Sequence, residues 1–314
     1  MEEVTFTRRK KSEFDGCFTA IITPFKGSGI NPSIDWAGYE KLIGFQDEAR
    51  IAGIIPCGTT GESPTLSHKE HDKLIEVAVE KCKGLVIAGT GSNCTREAVE
   101  LTKKAFDAGA DASLQVCPYY NKPNQAGLFS HFSEIAKTAD FPIILYNIPG
   151  RSGREIAPET MVKLARDHSN IIGVKEASGN PEVWKRIREL CGKEFVILSG
   201  NDGDTYPLMK DFGARGVISV ASNVIPLEMN QFVGRGLDGR WEEMEKANGL
   251  LKEFFDTLFI DTNPIMVKEA MNLVGLPAGG LRLPLCETSG KNREQMKDLL
   301  RRMGLLKSRK AKPG

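Results

Sequence analysis

Eight short apolar runs, rich in β-branched residues, recur along the chain, and each is followed by a longer segment with helical spacing. They read "CFTAIITPF" (17–25), "IAGIIPCG" (51–58), "GLVIAGTG" (84–91), "ASLQVCPYY" (112–120), "PIILYNIP" (142–149), "IIGVKEA" (171–177), "FVILSG" (195–200) and "GVISVAS" (216–222). Strands that alternate with helices argue for a parallel sheet, and runs that are apolar throughout fit strands covered on both faces. Eight uninterrupted units favour closure into a (β/α)8 TIM barrel over an open doubly wound sheet. The 314 residues fall within the roughly 200 to 400 that such barrels occupy.

The intervening segments carry helix punctuation of their own. Ser67 and Glu70 have the spacing of a capping box, Asn180 with Pro181 reads as N-cap and first helical residue, and Gly109 and Gly213 read as helix stops. After residue 225 the strands cease, and "EMNQFVGRGLDGRWEEMEKANGLLKEFFDTLF", "NPIMVKEAMNLVG" and "NREQMKDLLRRMG" read as helices. The expected organisation is an N-terminal extension over 1–15, a barrel over 16–235, a C-terminal helical domain over 236–306 and a basic tail over 307–314.

Forty-two basic residues against 41 acidic ones leave a formal charge of +1, so the chain has no overall field suited to nucleic acid or to anionic membrane. A small-molecule partner is the expectation. The seven cysteines are odd in number, scattered and never in a C-x-x-C pair, which suits reduced thiols rather than a disulfide framework or a zinc site. The first residues lack the apolar core of a secretory signal, and no stretch approaches a membrane span of about 18 apolar residues. Together these features point to a cytoplasmic protein.

In a parallel β/α barrel the reactive groups gather at the C-terminal ends of the strands. Here those ends are polar: "GTTGES" (58–63), "YYN" (119–121), "YNIPGR" (146–151), "KEASGN" (175–180) and "SGND" (199–202). Lys175 ends an otherwise apolar run. Alternation puts Ile171, Gly173 and Lys175 on one face, and Gly173 is expected to open space beneath the lysine. An ammonium held out of water without a partner lowers its pKa, and the resulting neutral amine is a nucleophile for a ketone or aldehyde. Standing alone, Lys175 reads more simply as a strand-end side chain reaching water.

It does not stand alone. Tyr146 lies at the same depth on the preceding strand, where a phenol could shuttle the protons that imine formation moves. Thr59 and Thr60, between two glycines, can aim hydroxyl and backbone N–H groups at a carboxylate, although an ordinary turn has the same composition. Arg151, in a Pro-Gly-Arg loop, can fork onto a second carboxylate. The set describes a keto acid meeting a second anionic substrate. His68 and His71 share a helix face but lack a third ligand, so no metal site is expected. "GTGSN" (89–93) lacks both the Walker lysine and the dinucleotide spacing. Cys57 and Cys117 sit in apolar runs and read as inert core thiols.

With "GTTGES", "PYYNKP", "YNIPGRSG" and "GVKEASGN" in order along it, the chain resembles, from about Gly16 to about Leu306, the pyruvate-dependent class I aldolase family that includes dihydrodipicolinate synthases and N-acetylneuraminate lyases. The resemblance implies a TIM barrel with a C-terminal helical domain, a Schiff base between Lys175 and pyruvate, and a proton relay through Tyr146, Thr59 and a tyrosine, Tyr120, that reaches a neighbouring subunit's site. It implies Thr59 and Thr60 on the pyruvate carboxylate, Arg151 on the carboxylate of L-aspartate 4-semialdehyde, Gly200 and Ile218 touching pyruvate mainly through backbone, and no metal or organic cofactor. "GTTGE" and the arginine of "NIPGR" favour the synthase branch over the lyase branch.

The resemblance further implies a homotetramer, a dimer of dimers, with a regulatory L-lysine pocket at a subunit interface formed by Ser63, His68, His71, Asn93, Glu97 and Tyr119. A sugar-acid aldolase of the same family and a catalytically silent barrel acting as a binding protein are the alternatives. The intact set of Lys175, Tyr146 and Thr59 speaks against the second.

Overall fold

The computed structural model describes residues 10–27 and 30–306. Eight parallel strands close into a barrel: β1 (Gly16–Thr19), β2 (Gly53–Ile54), β3 (Leu85–Gly89), β4 (Ala112–Val116), β5 (Ile143–Asn147), β6 (Ile171–Glu176), β7 (Val196–Ser199) and β8 (Gly216–Ser219). Seven of the apolar runs contain one of them and the first overlaps β1, which begins one residue earlier at Gly16; the hydrogen-bonded strands are shorter than the runs because several runs extend into the loops at the barrel mouth. Closure joins β8 to β1 in the register Gly16↔Gly216 to Thr19↔Ser219. The two glycines at that seam are needed there: a Cβ on Gly216 would lie 1.9 Å from the Gly16 carbonyl oxygen.

Eight helices surround the barrel: α1 (Trp36–Glu48), α2 (His68–Lys81), α3 (Thr95–Asp107), α4 (Gln125–Ala136), α5 (Pro158–Asp167), α6 (Pro181–Cys191), α7 (Thr205–Phe212) and α8 (Pro226–Leu237). The expected punctuation is present. Ser67 and Glu70 form a reciprocal capping box at α2, Asn180 caps α6 with Pro181 at its first turn, and Gly213 ends α7 in the left-handed region. Beyond the barrel lie α9 (Trp241–Thr257), α10 (Ile265–Leu273) and α11 (Gly290–Arg302). The barrel's own last helix runs to Leu237, two residues past the boundary expected at 235.

Two layers of core follow from this arrangement. Side chains between barrel and helices form the larger cluster, and a second fills the barrel interior with Phe14, Phe18, Ile87, Leu114, Ile144, Ile172, Leu198 and Ile218 among its members. Phe14 belongs to the segment expected to be an extension. Instead it ends a single 3-10 turn (Lys11–Phe14), is wholly buried, and packs with the interior cluster just before β1 begins. An aromatic ring there removes apolar strand ends from water, which accounts for its place. Residues 1–9 and the basic tail lie outside the described residues. A two-stranded hairpin, Phe25–Lys26 with Ser33–Ile34, was not expected; its two pairs carry no periodicity long enough to read.

Candidate active site

Lys175 is the fifth residue of β6 and pairs in register with Tyr146 on β5 and Leu198 on β7. Its face is set by an irregularity. Ile143 pairs with Ile171 but Ile144 pairs with Gly173, so Ile172 is the extra residue of a bulge. Ile171 joins the cluster outside the barrel and Ile172 the one inside, which corrects the simple alternation that placed Ile171 with Lys175. Gly173 also has a different reason from the one expected. A Cβ there would lie 2.3 Å from the Val196 carbonyl oxygen, so the glycine admits the neighbouring strand rather than opening space beneath the lysine.

The Lys175 Nζ lies 4.3 Å from the centroid of the Tyr146 ring. Lys175 is 6% exposed, and among the described residues no carboxylate approaches within ion-pair distance. Burial brings its pKa down from 10.5 to about 7; the Arg151 cation pushes the same way and the Asp202 carboxylate opposes it. The amine is therefore substantially neutral near neutral pH. Burial pushes the Tyr146 phenol up to about 12, with the Arg151 charge and a hydrogen bond to Thr59 working against it. Tyr146 thus keeps its proton where Lys175 has lost one, the arrangement a proton shuttle needs.

Thr59 and Thr60 sit in the loop after β2, whose backbone turns through left-handed Cys57 (φ 57°) and Glu62 (φ 56°). The loop is pinned from several directions. The Thr23 hydroxyl donates to the Gly61 carbonyl at 2.7 Å. Asn263 Nδ2 donates to Thr60 Oγ1 at 3.0 Å. Glu62 is buried against Lys268 of α10 at 2.5 Å and accepts the Arg282 backbone N–H at 3.0 Å. Arg282, also buried, donates to the Pro32 carbonyl and to Glu70, and both cations lie over the Phe25 ring. Buried charges are tolerated where each finds partners, and here they tie the loop to the segment beyond the barrel.

Arg151 stands on the single helical turn Pro149–Ser152, where its Nη2 donates to the Asn263 carbonyl at 3.2 Å and the Thr262 hydroxyl at 3.4 Å. Gly200 follows β7, its N–H on the Glu176 carbonyl at 2.7 Å, and Ile218 is buried in β8 within the interior cluster that also holds Tyr146. Lys175, Tyr146, Thr59, Thr60, Arg151, Gly200 and Ile218 are all set by the loops and strand ends of one barrel mouth. Tyr120 stands in the loop after β4 but differs from them in its exposure, 90% at φ 71°.

The second group divides. His68 Nε2 meets Glu97 at 2.9 Å, and Glu97 also accepts from the Ser92 hydroxyl. The Ser92 bond, then the histidine, lower the Glu97 pKa against the opposing effect of burial. Asn93 Nδ2 donates to the Tyr119 carbonyl at 3.2 Å. His71 is turned inward and donates from Nε2 to the Gly89 carbonyl at 2.8 Å, leaving Nδ1 buried without a hydrogen bond. Ser63 opens the turn after the Thr59–Thr60 loop, its N–H on the Gly58 carbonyl. Among the described residues there is no group of three or more histidine, cysteine or acidic side chains able to hold a metal ion.

Asp202 is a participant that strand-end reading passed over, although "SGND" was among the polar ends. It is buried, and its Oδ2 accepts the N–H groups of Val220 and Ala221 at 3.0 and 2.9 Å. Burial raises its pKa, while hydrogen bonds from Ser219 and the two N–H groups, and the Lys175 charge, pull it back. Asn263 was missed for a different reason: it lies outside the barrel, where strand-end reasoning does not look.

The model of the dihydrodipicolinate synthetase family matches residues 13–303. The 4-hydroxy-tetrahydrodipicolinate synthase of Methanosarcina mazei is 47% identical over 294 residues, covering 93% of this chain and 99% of its own. A lysine-bound dihydrodipicolinate synthase from Cyanidioschyzon merolae superposes with a TM-score of 0.89 at 42% identity, covering 94% of this chain and 99% of its own. A monomeric dihydrodipicolinate synthase variant gives 0.90 at 40% identity, again over 94% and 99%.

Proposed function

The chain belongs to the dihydrodipicolinate synthetase family, and from that premise we propose that it condenses pyruvate with L-aspartate 4-semialdehyde through a Schiff base on Lys175. The observation that carries the reading is the pairing of a buried amine, its pKa brought down to about 7, with a phenol 4.3 Å away that keeps its proton.

Neutral Lys175 attacks the keto carbon of pyruvate. Tyr146 protonates the departing hydroxyl, water leaves, and an imine to the lysine remains. Loss of a methyl proton gives the enamine, whose carbon attacks the aldehyde of the second substrate. The amino group of that substrate then closes on the imine carbon, and the C–N bond to Lys175 breaks to release 4-hydroxy-tetrahydrodipicolinate. Thr59, hydrogen-bonded to Tyr146, extends the relay toward solvent, and Tyr120 of a neighbouring subunit completes it. Thr59 and Thr60 hold the pyruvate carboxylate, Gly200 and Ile218 bound the same pocket, and Arg151 receives the carboxylate of the semialdehyde. Arg151 favours this substrate over a neutral sugar acid chain. This is the condensing step of lysine and diaminopimelate biosynthesis.

The exposed, left-handed Tyr120 supports assembly into a homotetramer, and light scattering that returns a monomer would count against both the assembly and the Tyr120 role. Among the described residues no helix is long and apolar enough to cross a membrane, and we place the enzyme in the cytoplasm. L-Lysine is the feedback ligand: Glu97 meets its ammonium groups, while Ser63, His68, His71, Asn93 and Tyr119 supply hydrogen bonds. The lysine-bound relative supports this; steady-state rates unchanged by millimolar lysine would refute it.

The reaction is tested by incubating the protein with pyruvate and borohydride and locating the reduced adduct by peptide mass spectrometry, with semialdehyde consumption assayed in parallel. The adduct is expected on Lys175. Its absence would reject the mechanism, and an adduct without semialdehyde turnover would transfer the reading to a sugar-acid aldolase.

A further inference from the structure

We infer that Asn263, from the segment beyond the barrel, is a positioning residue that aims the Thr60 hydroxyl at the keto acid's carboxylate, so that pyruvate affinity is set partly outside the barrel. The inference rests on the proposal that Thr60 binds that carboxylate.

A threonine hydroxyl carries one hydrogen and two lone pairs, whereas a side-chain amide nitrogen can only donate. The 3.0 Å bond from Asn263 Nδ2 to Thr60 Oγ1 therefore occupies a lone pair of Thr60 and leaves its hydrogen to point elsewhere. Both residues are buried, at 6% and 2% exposure. Among the described residues no acceptor takes the Thr60 hydrogen, which leaves it available to an incoming ligand. Such a donor is costly unless a ligand uses it, and an anionic oxygen is the ligand that repays it best. The Asn263 Oδ1 is also buried and has no hydrogen-bond partner among the described residues, so the Nδ2 contact with Thr60 is the side chain's one hydrogen bond among them.

The same residue reaches the other anion receiver by a different atom. Its backbone carbonyl, with the Thr262 hydroxyl, holds Arg151 Nη2. Truncating the side chain removes the support of Thr60 and leaves the support of Arg151 in place. This separation makes the inference testable with kinetics.

Steady-state KM for each substrate is measured for Asn263→Ala, Thr60→Val and the double variant, with melting temperature as the check on folding. Asn263→Ala is expected to raise KM for pyruvate about tenfold, the worth of one hydrogen bond to a charged group, and to leave KM for the semialdehyde within about twofold. In the Thr60→Val background the same substitution should add nothing further. Asn263→Asp keeps the shape but turns the side chain into an acceptor that captures the Thr60 hydrogen; it should raise pyruvate KM more than the alanine does, and it carries the test if the alanine variant does not fold. Equal rises in both KM values, additive effects in the double variant, or an unchanged pyruvate KM would overturn the inference. If Thr60→Val alone leaves pyruvate KM unchanged, the failure lies in the assignment of Thr60 itself.

Discussion

The pKa of Lys175 makes the sharpest prediction. A lysine of ordinary pKa is about 0.03% neutral at pH 7, whereas one at about 7 is roughly half neutral, a gain in nucleophile on the order of a thousandfold. Pyruvate keeps its charge across this range, so the pH dependence of adduct formation reports the enzyme. With limiting pyruvate and rapid trapping, the rate should climb about tenfold per pH unit between pH 5 and 6, bend near 7 and level off above 8. The sign for a neighbouring substitution follows from the charges. The Asp202 carboxylate favours the ammonium form and raises the Lys175 pKa. Asp202→Asn should therefore move the bend to lower pH, while keeping an acceptor for the N–H groups of Val220 and Ala221. The assay is quenched-flow with cyanoborohydride, reading the reduced adduct by mass spectrometry. A rate still rising tenfold per unit through pH 9, or a bend that Asp202→Asn moves upward, would show that burial does not control this amine.

Three further substitutions probe the scaffold. Lys268→Met leaves Glu62 buried opposite a methionine and should cost about 3–5 kcal/mol in urea unfolding; a loss below about 1 kcal/mol would mean that water or Arg282 already neutralises Glu62. Gly173→Ala puts a Cβ 2.3 Å from the Val196 carbonyl oxygen and should lower the melting temperature by several degrees or abolish soluble expression; wild-type melting would restore the reading of Gly173 as open space. Arg151→Ala should raise KM for the semialdehyde by about tenfold or more while pyruvate still forms its adduct, and an equal rise in both KM values would assign the arginine to general support of the mouth.

What the sequence made legible is what repeats locally. Period and composition pointed to eight strands, and a capping box needs only Ser67 and Glu70 three residues apart. Strand-end logic then brought Lys175 and Tyr146 to the same depth because parallel neighbours in a closed barrel start and stop together, and their register is direct. The bulge at Ile172 escaped because an extra residue in an apolar run changes no pattern: isoleucine suits either face, and only pairing with β5 shows which one it takes. Phe14 escaped similarly, since a lone aromatic before the first strand carries no period.

The contacts that escaped altogether join positions far apart in the chain: Thr60 to Asn263 across 203 residues, Glu62 to Lys268 across 206, and Arg151 to Asn263 across 112. No local window contains both partners. Even so, Lys268 carries a faint mark, a cation within the apolar run "PIMVKEAM", the anomaly that singled out Lys175. The two buried lysines resolve it to different degrees. Burial lowers both, but Lys268 has a carboxylate at 2.5 Å and a carbonyl at 2.8 Å and is held at about 8, whereas Lys175, with an aromatic face and no carboxylate at ion-pair distance, comes down to about 7 despite the more remote Asp202. A lysine in an apolar run is thus a question about its partners, and the partners of both lie on other elements. The region beyond the barrel contributes Lys268 to the buried pair with Glu62 and, through Asn263, contacts both Thr60 and Arg151, so the region after residue 237 is a supporting wall of the barrel mouth and not an appendage to it.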